Sequence, residues 1–334
     1  MANNHHPKLT ASETALLWGS YQNDTLGVCM ISHFLQTVED EEIRPLLQFA
    51  LDIAKQHLRK LTAIFKEEKH PIPIGFTKAD INLNAPKLFS DTFMLYYIQG
   101  MGAMGLNTYS TALPNAARKD IRDYYTSCLH SSSELYNRTS DLMQQKGVFI
   151  RAPYIPYNEK VEFVEKQHFL SGWIGDQRPL TSNEILLLFA NLQRNMFGHA
   201  LLTGFSQIAQ SKEVKHYMTR GAEISKHHME IFHKYLTESN VETPMTWNIM
   251  PTASTEPPFS DKLLMFHTTA INALGIGYYG ASLAGTARKD ISASYSRLMI
   301  EAGEYSADGA NLMIKNGWLE KPPSAPDRKA LVKS

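Results

Sequence analysis

Between Glu41 and Glu68 the chain sets Ile43, Leu47, Ala50, Ala54, His57, Leu61 and Ile64 at intervals that alternate between four and three residues. At 3.6 residues per turn those positions lie on one side of a helix, so the stretch predicts a helix that buries one seam. The only ring nitrogens on that seam belong to His57. A second seam of the same kind runs through Val214, Met218, Gly221, Ser225, His228 and Phe232.

The same reading predicts four long helices in each half. The first opens after Thr10 or Ser12, both good N-cap residues, and runs to about Val38. The second covers about 41–68, the third runs from Ser90 to about Leu113, and the fourth from Ala117 to the stop at Gly147. In the second half helices are predicted over about 182–210, 212–238, 260–284 and 287–316, with Gly317 as the stop. The joins are short except the one between second and third helices. That segment carries Pro71, Pro73, Gly75 and Pro86 in the first half, and Pro244, Pro251, Pro257 and Pro258 in the second. A long middle connection must travel the length of a bundle, which predicts an all-α chain of two tandem ferritin-like four-helix bundles with one long crossover each.

Internal repetition explains why the halves read alike. The pentapeptide ARKDI stands at Ala117–Ile121 and again at Ala287–Ile291, 170 residues on. LTASE at Leu9 and LTSNE at Leu180, FSD at Phe89 and Phe259, and DLMQQKG at Asp141 and NLMIKNG at Asn311 follow nearly the same offset. A period this long means a duplicated domain rather than a solenoid. The predicted division is a bundle over 8–150, a linker over 151–179, a bundle over 180–320 and a proline-rich tail over 321–334. Pro153, Pro156, Gly172, Gly175 and Pro179 break helices in the linker, whose Phe163, Phe169 and Trp173 are expected to pack on the bundles. ARKDI marks the start of each fourth helix. Asp120 and Asp290 complement the helix dipole, and Arg118, Lys119 and Arg288 are expected to reach neighbouring carboxylates. The third helices are rich in glycine, with Gly100, Gly102 and Gly105 in one and Gly275, Gly277 and Gly280 in the other. Glycine costs about 1 kcal/mol inside a helix, so close helix packing is the expected compensation. No strand precedes them, so they are not a dinucleotide fingerprint.

Composition narrows the partners. With 33 Lys and Arg against 33 Asp and Glu, the net charge is zero and no basic run is present, which argues against nucleic acid. Two cysteines, Cys29 and Cys128, exclude a disulfide scaffold and read as buried reduced thiols. No apolar run reaches the roughly 18–20 residues of a membrane span. The start, which includes His5 and His6, lacks a basic region followed by an apolar segment, so no signal peptide is expected.

FLSGWIGDQRPL at Phe169, PPFSDKLLMFH at Pro257 and NGWLEKPP at Asn316 resemble an uncharacterised bacterial family of tandem ferritin-like proteins. That family is similar to the spore coat protein F group of spore-forming bacteria. The resemblance covers nearly the whole chain and implies a non-enzymatic structural or assembly role in the spore coat or during sporulation. It further implies protein partners or self-association and a cytoplasmic or spore-associated location. It implies no reaction, and the incomplete ligand set gives the expectation of no cofactor.

A ferritin-like fold raises the question of a metal site. Carboxylate di-iron bundles take a Glu from each of two helices and Glu-x-x-His from each of the others. The third helices here have no interior acid, and the literal Glu-x-x-His, Glu230 with His233, lies about 200° round the helix from His228 and so faces outward. His57 and His228 are equivalent seam positions, but Ala54 and Ser225 stand where the pattern would want Glu. Glu134 and Glu304 are equivalent at the seam edge, and His199 and His267 have Val28 and Tyr97 as counterparts. The expectation is a core His228 hydrogen-bonded to Glu304 or a tyrosine. The alternative is one transition metal ion held by His199, His228 and Glu304, giving a metal-binding or redox protein. A further alternative is a small-molecule pocket lined by the glycine-rich helix.

Overall fold

A computed structural model describes residues 7–156, 159–172, 177–243 and 251–332. Eight long helices carry the chain: α1 (Ala11–Thr37), α2 (Arg44–Glu67), α3 (Asp91–Ala112), α4 (Lys119–Gln145), α5 (Ser182–Ile208), α6 (Lys212–Glu238), α7 (Asp261–Gly285) and α8 (Lys289–Lys315). Among the described residues extended pairing is limited to isolated bridges, so the protein is all-α, with four helices in each half. Trp173, Gly175, Pro244, His5 and His6 lie outside the described residues.

The helix starts follow from capping. Thr10 and Glu13 form a reciprocal capping box on α1, and Thr181 and Glu184 form the same box on α5. Ser260 caps α7. Gly147 and Gly317, with φ of 67° and 69°, sit just past α4 and α8, where a left-handed residue ends the helix. The fourth helices begin at Lys119 and Lys289, two residues later than the pattern predicts. The reason is visible in α4: the N–H groups of Ala117 and Arg118 donate to the Glu13 carboxylate instead of entering the helix.

The chain divides into two compact units. One comprises Met1–Leu83, Tyr97–Leu142 and Gly317–Ser334; the other comprises Asn84–Tyr96 and Met143–Asn316. The first unit buries the whole predicted α2 seam, from Ile43 to Ile64, together with Leu17, Phe34, Phe65 and Tyr125. Its connection after α2 turns at Gly75, where φ is +60° and a Cβ would run into Thr25. The Thr25 hydroxyl accepts from the Phe76 N–H at 3.1 Å, and Glu320 accepts from the N–H groups of Ile74 and Gly75 at 3.0 and 2.7 Å. In the second unit Leu188, Leu192, Phe232, Tyr295 and Leu298 form the core. The stretch Asn84–Tyr96 adds Phe89 and Phe93, stacked at 4.0 Å, and Phe93 stacks on Phe197 at 5.1 Å. The carbonyl of Leu88 accepts from the Thr252 N–H at 2.8 Å, which ties this stretch into the second unit.

Two packing expectations need correction. On α3 two of the three glycines mark close approach: a Cβ on Gly102 would lie 2.9 Å from the Tyr136 backbone, and one on Gly105 would collide with Ser132, whereas nothing lies within 4 Å of the Gly100 position. On α7 they do not, because nothing lies within 4 Å of the Cβ positions of Gly275 and Gly277. In the linker, Phe163 is 87% exposed rather than packed. Phe169 is covered instead by the Arg178 guanidinium, 3.9 Å from its ring centre.

Candidate functional site

The repeated pentapeptide builds a buried charge clamp at the mouth of each bundle. Arg288, 1% exposed, grips Asp290 with two bonds of 3.1 and 2.7 Å, and the same Nη2 also donates to the Gln177 amide oxygen at 2.9 Å. The Arg288 N–H donates to Glu184 at 3.1 Å, and Arg178 grips the same carboxylate through two bonds of 2.8 and 2.9 Å. Burial opposes the Glu184 charge, but Arg178 and the backbone donors outweigh it and hold the carboxyl near 2. Gly172 leaves room for this, since a Cβ there would run into Asp290. The first half repeats the scheme with Arg118 on Asp120 and Glu68, and with the Pro7 carbonyl where Arg178 supplies its own. The expected neighbouring-carboxylate partner exists for Arg118 in Glu68, but the main partner of each arginine is the aspartate two residues on. Lys119 instead pairs with Asp123 on the surface at 2.7 Å.

Deeper in each bundle sits one seam histidine. His228, 2% exposed, has Nδ1 at 2.8 Å from the Tyr279 hydroxyl and Nε2 at 3.0 Å from Glu301. Asn195 donates its amide to the Tyr279 oxygen at 2.8 Å, so the tyrosine proton is free to point at Nδ1. Nδ1 is therefore the acceptor, Nε2–H donates to Glu301, and the ring is neutral. Burial depresses the His228 pKa, with Glu301 offsetting part of that.

His57 is held differently. Its Nδ1 lies 3.4 Å from Asp24 and its Nε2 3.3 Å from the Ser131 hydroxyl oxygen. Ser131 spends its own proton on the Cys128 carbonyl at 3.0 Å, so it accepts from Nε2. Nδ1 also lies 3.5 Å from the Tyr109 hydroxyl, and burial raises the pKa of Asp24 itself, so the Asp24–His57 pair titrates as a unit. Burial disfavours the imidazolium, yet Asp24 and the nearby Cys128 outweigh it and lift His57 to about 10. Both cysteines are buried and in no disulfide, and the Cys29 thiol donates to the Thr77 carbonyl at 3.6 Å.

The three metal candidates are not brought together. His199, half-buried, donates Nδ1–H to the Ala222 carbonyl at 2.9 Å, and Glu304 is exposed. The carboxylate that meets His228 is Glu301, three residues earlier on α8, and the tyrosine is Tyr279. Among the described residues no three His, Cys, Asp or Glu side chains cluster as a metal site. His267 is buried, and burial holds its pKa near 4. Glu134 pairs with Arg138 at 2.6 Å on the surface, and Glu230 is likewise exposed. The residues that hold the histidines, Asp24, Tyr109, Ser131, Asn195, Tyr279 and Glu301, were missed by the seam pattern. The repeat offset could have found them, because Asp24 aligns with Asn195, Tyr109 with Tyr279, and Ser131 with Glu301.

No curated protein matches the chain. A solved structure from Bacillus halodurans C-125, described as a "putative spore coat protein", is 17% identical and aligns with a TM-score of 0.43, covering 45% of this chain and 98% of its own. No helix among the described residues is long and apolar enough to cross a membrane. A family model matches residues 1–161 and again 168–331, as the duplication requires, and the chain belongs to that family, described as "Protein of unknown function (DUF3231)".

Proposed function

We propose that this chain is a non-enzymatic, ferritin-like assembly protein of a spore-forming bacterium, in which the core histidines fasten helices together. The observation that carries the reading is the complete pairing of His228: Tyr279 occupies one ring nitrogen and Glu301 the other, while His199 and Glu304 lie elsewhere. A neutral imidazole so paired needs no further ligand, and an unpaired buried ring N–H would cost about 1–3 kcal/mol. The sporulation setting rests on the resemblance of the Phe169, Pro257 and Asn316 segments to coat protein F.

Elemental analysis and melting curves test the fastening role. Wild type and His228→Leu should both purify without stoichiometric metal, and chelator should leave both melting temperatures unchanged. One tightly held transition metal per chain, absent from the His228→Leu variant, would instead establish the metal-binding reading. Deletion of the gene should alter spore assembly or germination; normal spores would remove the sporulation setting.

A further inference from the structure

The first unit contains a cleft of about 560 Å³ between the outer faces of α2 and α4. That volume falls within the roughly 300–1,000 Å³ of small-molecule sites. Its floor is formed by His57, Tyr124 and Cys128, all buried, and its α2 wall by the exposed Arg59 and Lys60. We propose that this cleft binds a small carboxylate- or phosphate-bearing molecule, with Arg59 and Lys60 as its charge partners.

Three observations carry the assignment. First, the two walls differ in what remains unsatisfied. On the α4 side Asp120 is already paired with Arg118 and Asp123 with Lys119, whereas Arg59 and Lys60 form no ion pair among the described residues. The uncommitted charge of the cleft is therefore positive. A guanidinium beside an ammonium matches an oxyanion, which accepts charge-assisted hydrogen bonds from both.

Second, the floor is short of hydrogen-bond partners. The Tyr124 hydroxyl, a donor, is buried without any. Its second-half counterpart is satisfied: Ser294, in the place of Tyr124, bonds Tyr235 at 2.8 Å. A buried donor left over in one copy and matched in the other points to an acceptor that the first copy receives from outside.

Third, the second repeat bridges the same place. Tyr235 spans from α6 to α8, its hydroxyl on Ser294 and, at 3.2 Å, on the Asp290 carbonyl, the counterparts of Tyr124 and Asp120. There the positions of Arg59 and Lys60 are occupied by Glu230 and Ile231, which removes the cationic wall. In the second copy a tyrosine bridges the two helices here beside Glu230 and Ile231; in the first the cleft is lined by Arg59 and Lys60.

The test grafts the second repeat onto the first. Binding of inorganic phosphate and of succinate to the full chain is measured by calorimetry and by thermal shift, with sodium chloride at matched ionic strength as control. The double variant Arg59→Glu, Lys60→Ile is the comparison; both positions are exposed, so the fold should survive, and circular dichroism checks it. Saturable binding of at least one probe is expected, weakened by roughly tenfold or more in the variant, as loss of even one charge-assisted contact implies. Preference for phosphate over succinate would assign the ligand as a phosphate compound, and the reverse as a carboxylate. A thermal shift that chloride reproduces, binding that the variant retains, or no binding of either probe at tens of millimolar would overturn the proposal.

Discussion

The two bundles carry the same histidine at the same seam position and shift its pKa in opposite directions. In the first half the acid partner, Asp24, comes from α1 and the α4 position is Ser131; in the second half the acid, Glu301, comes from α8 and the α5 position is Asn195. Moving one carboxylate across the bundle reverses the outcome. A buried Asp against Nδ1 with a hydroxyl acceptor at Nε2 favours the imidazolium. A tyrosine proton aimed at Nδ1 demands a neutral ring, and the Glu301 side chain, 38% exposed, is too well solvated to overcome burial. A duplicated scaffold therefore preserves which residue is buried more faithfully than it preserves that residue's charge.

The clamps offer the largest test of this divergence. Arg288 is enclosed with Asp290, which is 6% exposed, whereas Arg118 grips an Asp120 side chain that is 42% exposed. Arg288→Ala leaves a buried carboxylate unpaired and should cost about 3–5 kcal/mol in denaturant unfolding. Arg118→Ala should cost clearly less, and equal costs would show that solvent access does not separate the clamps. Glu184 adds a pH signature: its folded pKa near 2 lies below its ordinary 4.5, so its contribution is full above about 4.5 and is lost as pH falls towards 2.

The histidines should differ next, and in sign. His57 has a folded pKa near 10, above its ordinary 6.5, so its stabilisation is full below about 6.5 and is lost as pH rises through about 10. His228 has a folded pKa below 6.5, so its bundle is most stable above that pH and weakens as pH falls. Asp24→Asn should remove the alkaline loss and cost on the order of 2–3 kcal/mol near neutrality. Histidine ring resonances followed by NMR check both directions; a His57 that titrates near 6.5 in the wild type would break the comparison.

Gly105 and Gly275 stand at the same repeat position. A Cβ on Gly105 meets Ser132 and the Tyr109 ring, so Gly105→Ala should destabilise by about 1–2 kcal/mol. Gly275 faces open space, so Gly275→Ala should stabilise by up to about 1 kcal/mol through helix propensity alone. Two changes of the same sign, read from melting temperatures, would mean that the halves pack alike. The smallest effect belongs to Glu301→Gln, expected below about 1 kcal/mol because the side chain is more than a third exposed and glutamine can still accept from Nε2.

Much of the architecture was legible in the residues. The α2 seam from Ile43 to Ile64 is buried as its spacing predicts, and Thr10 and Ser90 cap the starts of α1 and α3. The candidate site was legible only in part. The seam identified His228 as a core residue hydrogen-bonded to an acid or a tyrosine, but it placed the acid at Glu304, one turn too late, and did not say which tyrosine. A helical wheel shows which side of a helix is buried; it does not show the level at which a neighbouring helix presents its side chains.

The sequence by itself determined the period, the helix count, the duplication and the two buried histidines, because these follow from local chemistry and from the 3.6-residue repeat. Only the tertiary structure decided that Asp24 reaches His57 while Glu301 reaches His228, and that Arg118 and Arg288 fold back on their own aspartates. It also decided that α3 approaches its neighbour closely while the glycines of α7 face open space. Those outcomes depend on the relative height and rotation of packed helices, which shift by one residue of rise, about 1.5 Å, and change which donor meets which acceptor. A hydrogen bond tolerates only a few tenths of an ångström, so differences too small to disturb the apolar pattern are large enough to reverse a proton's position.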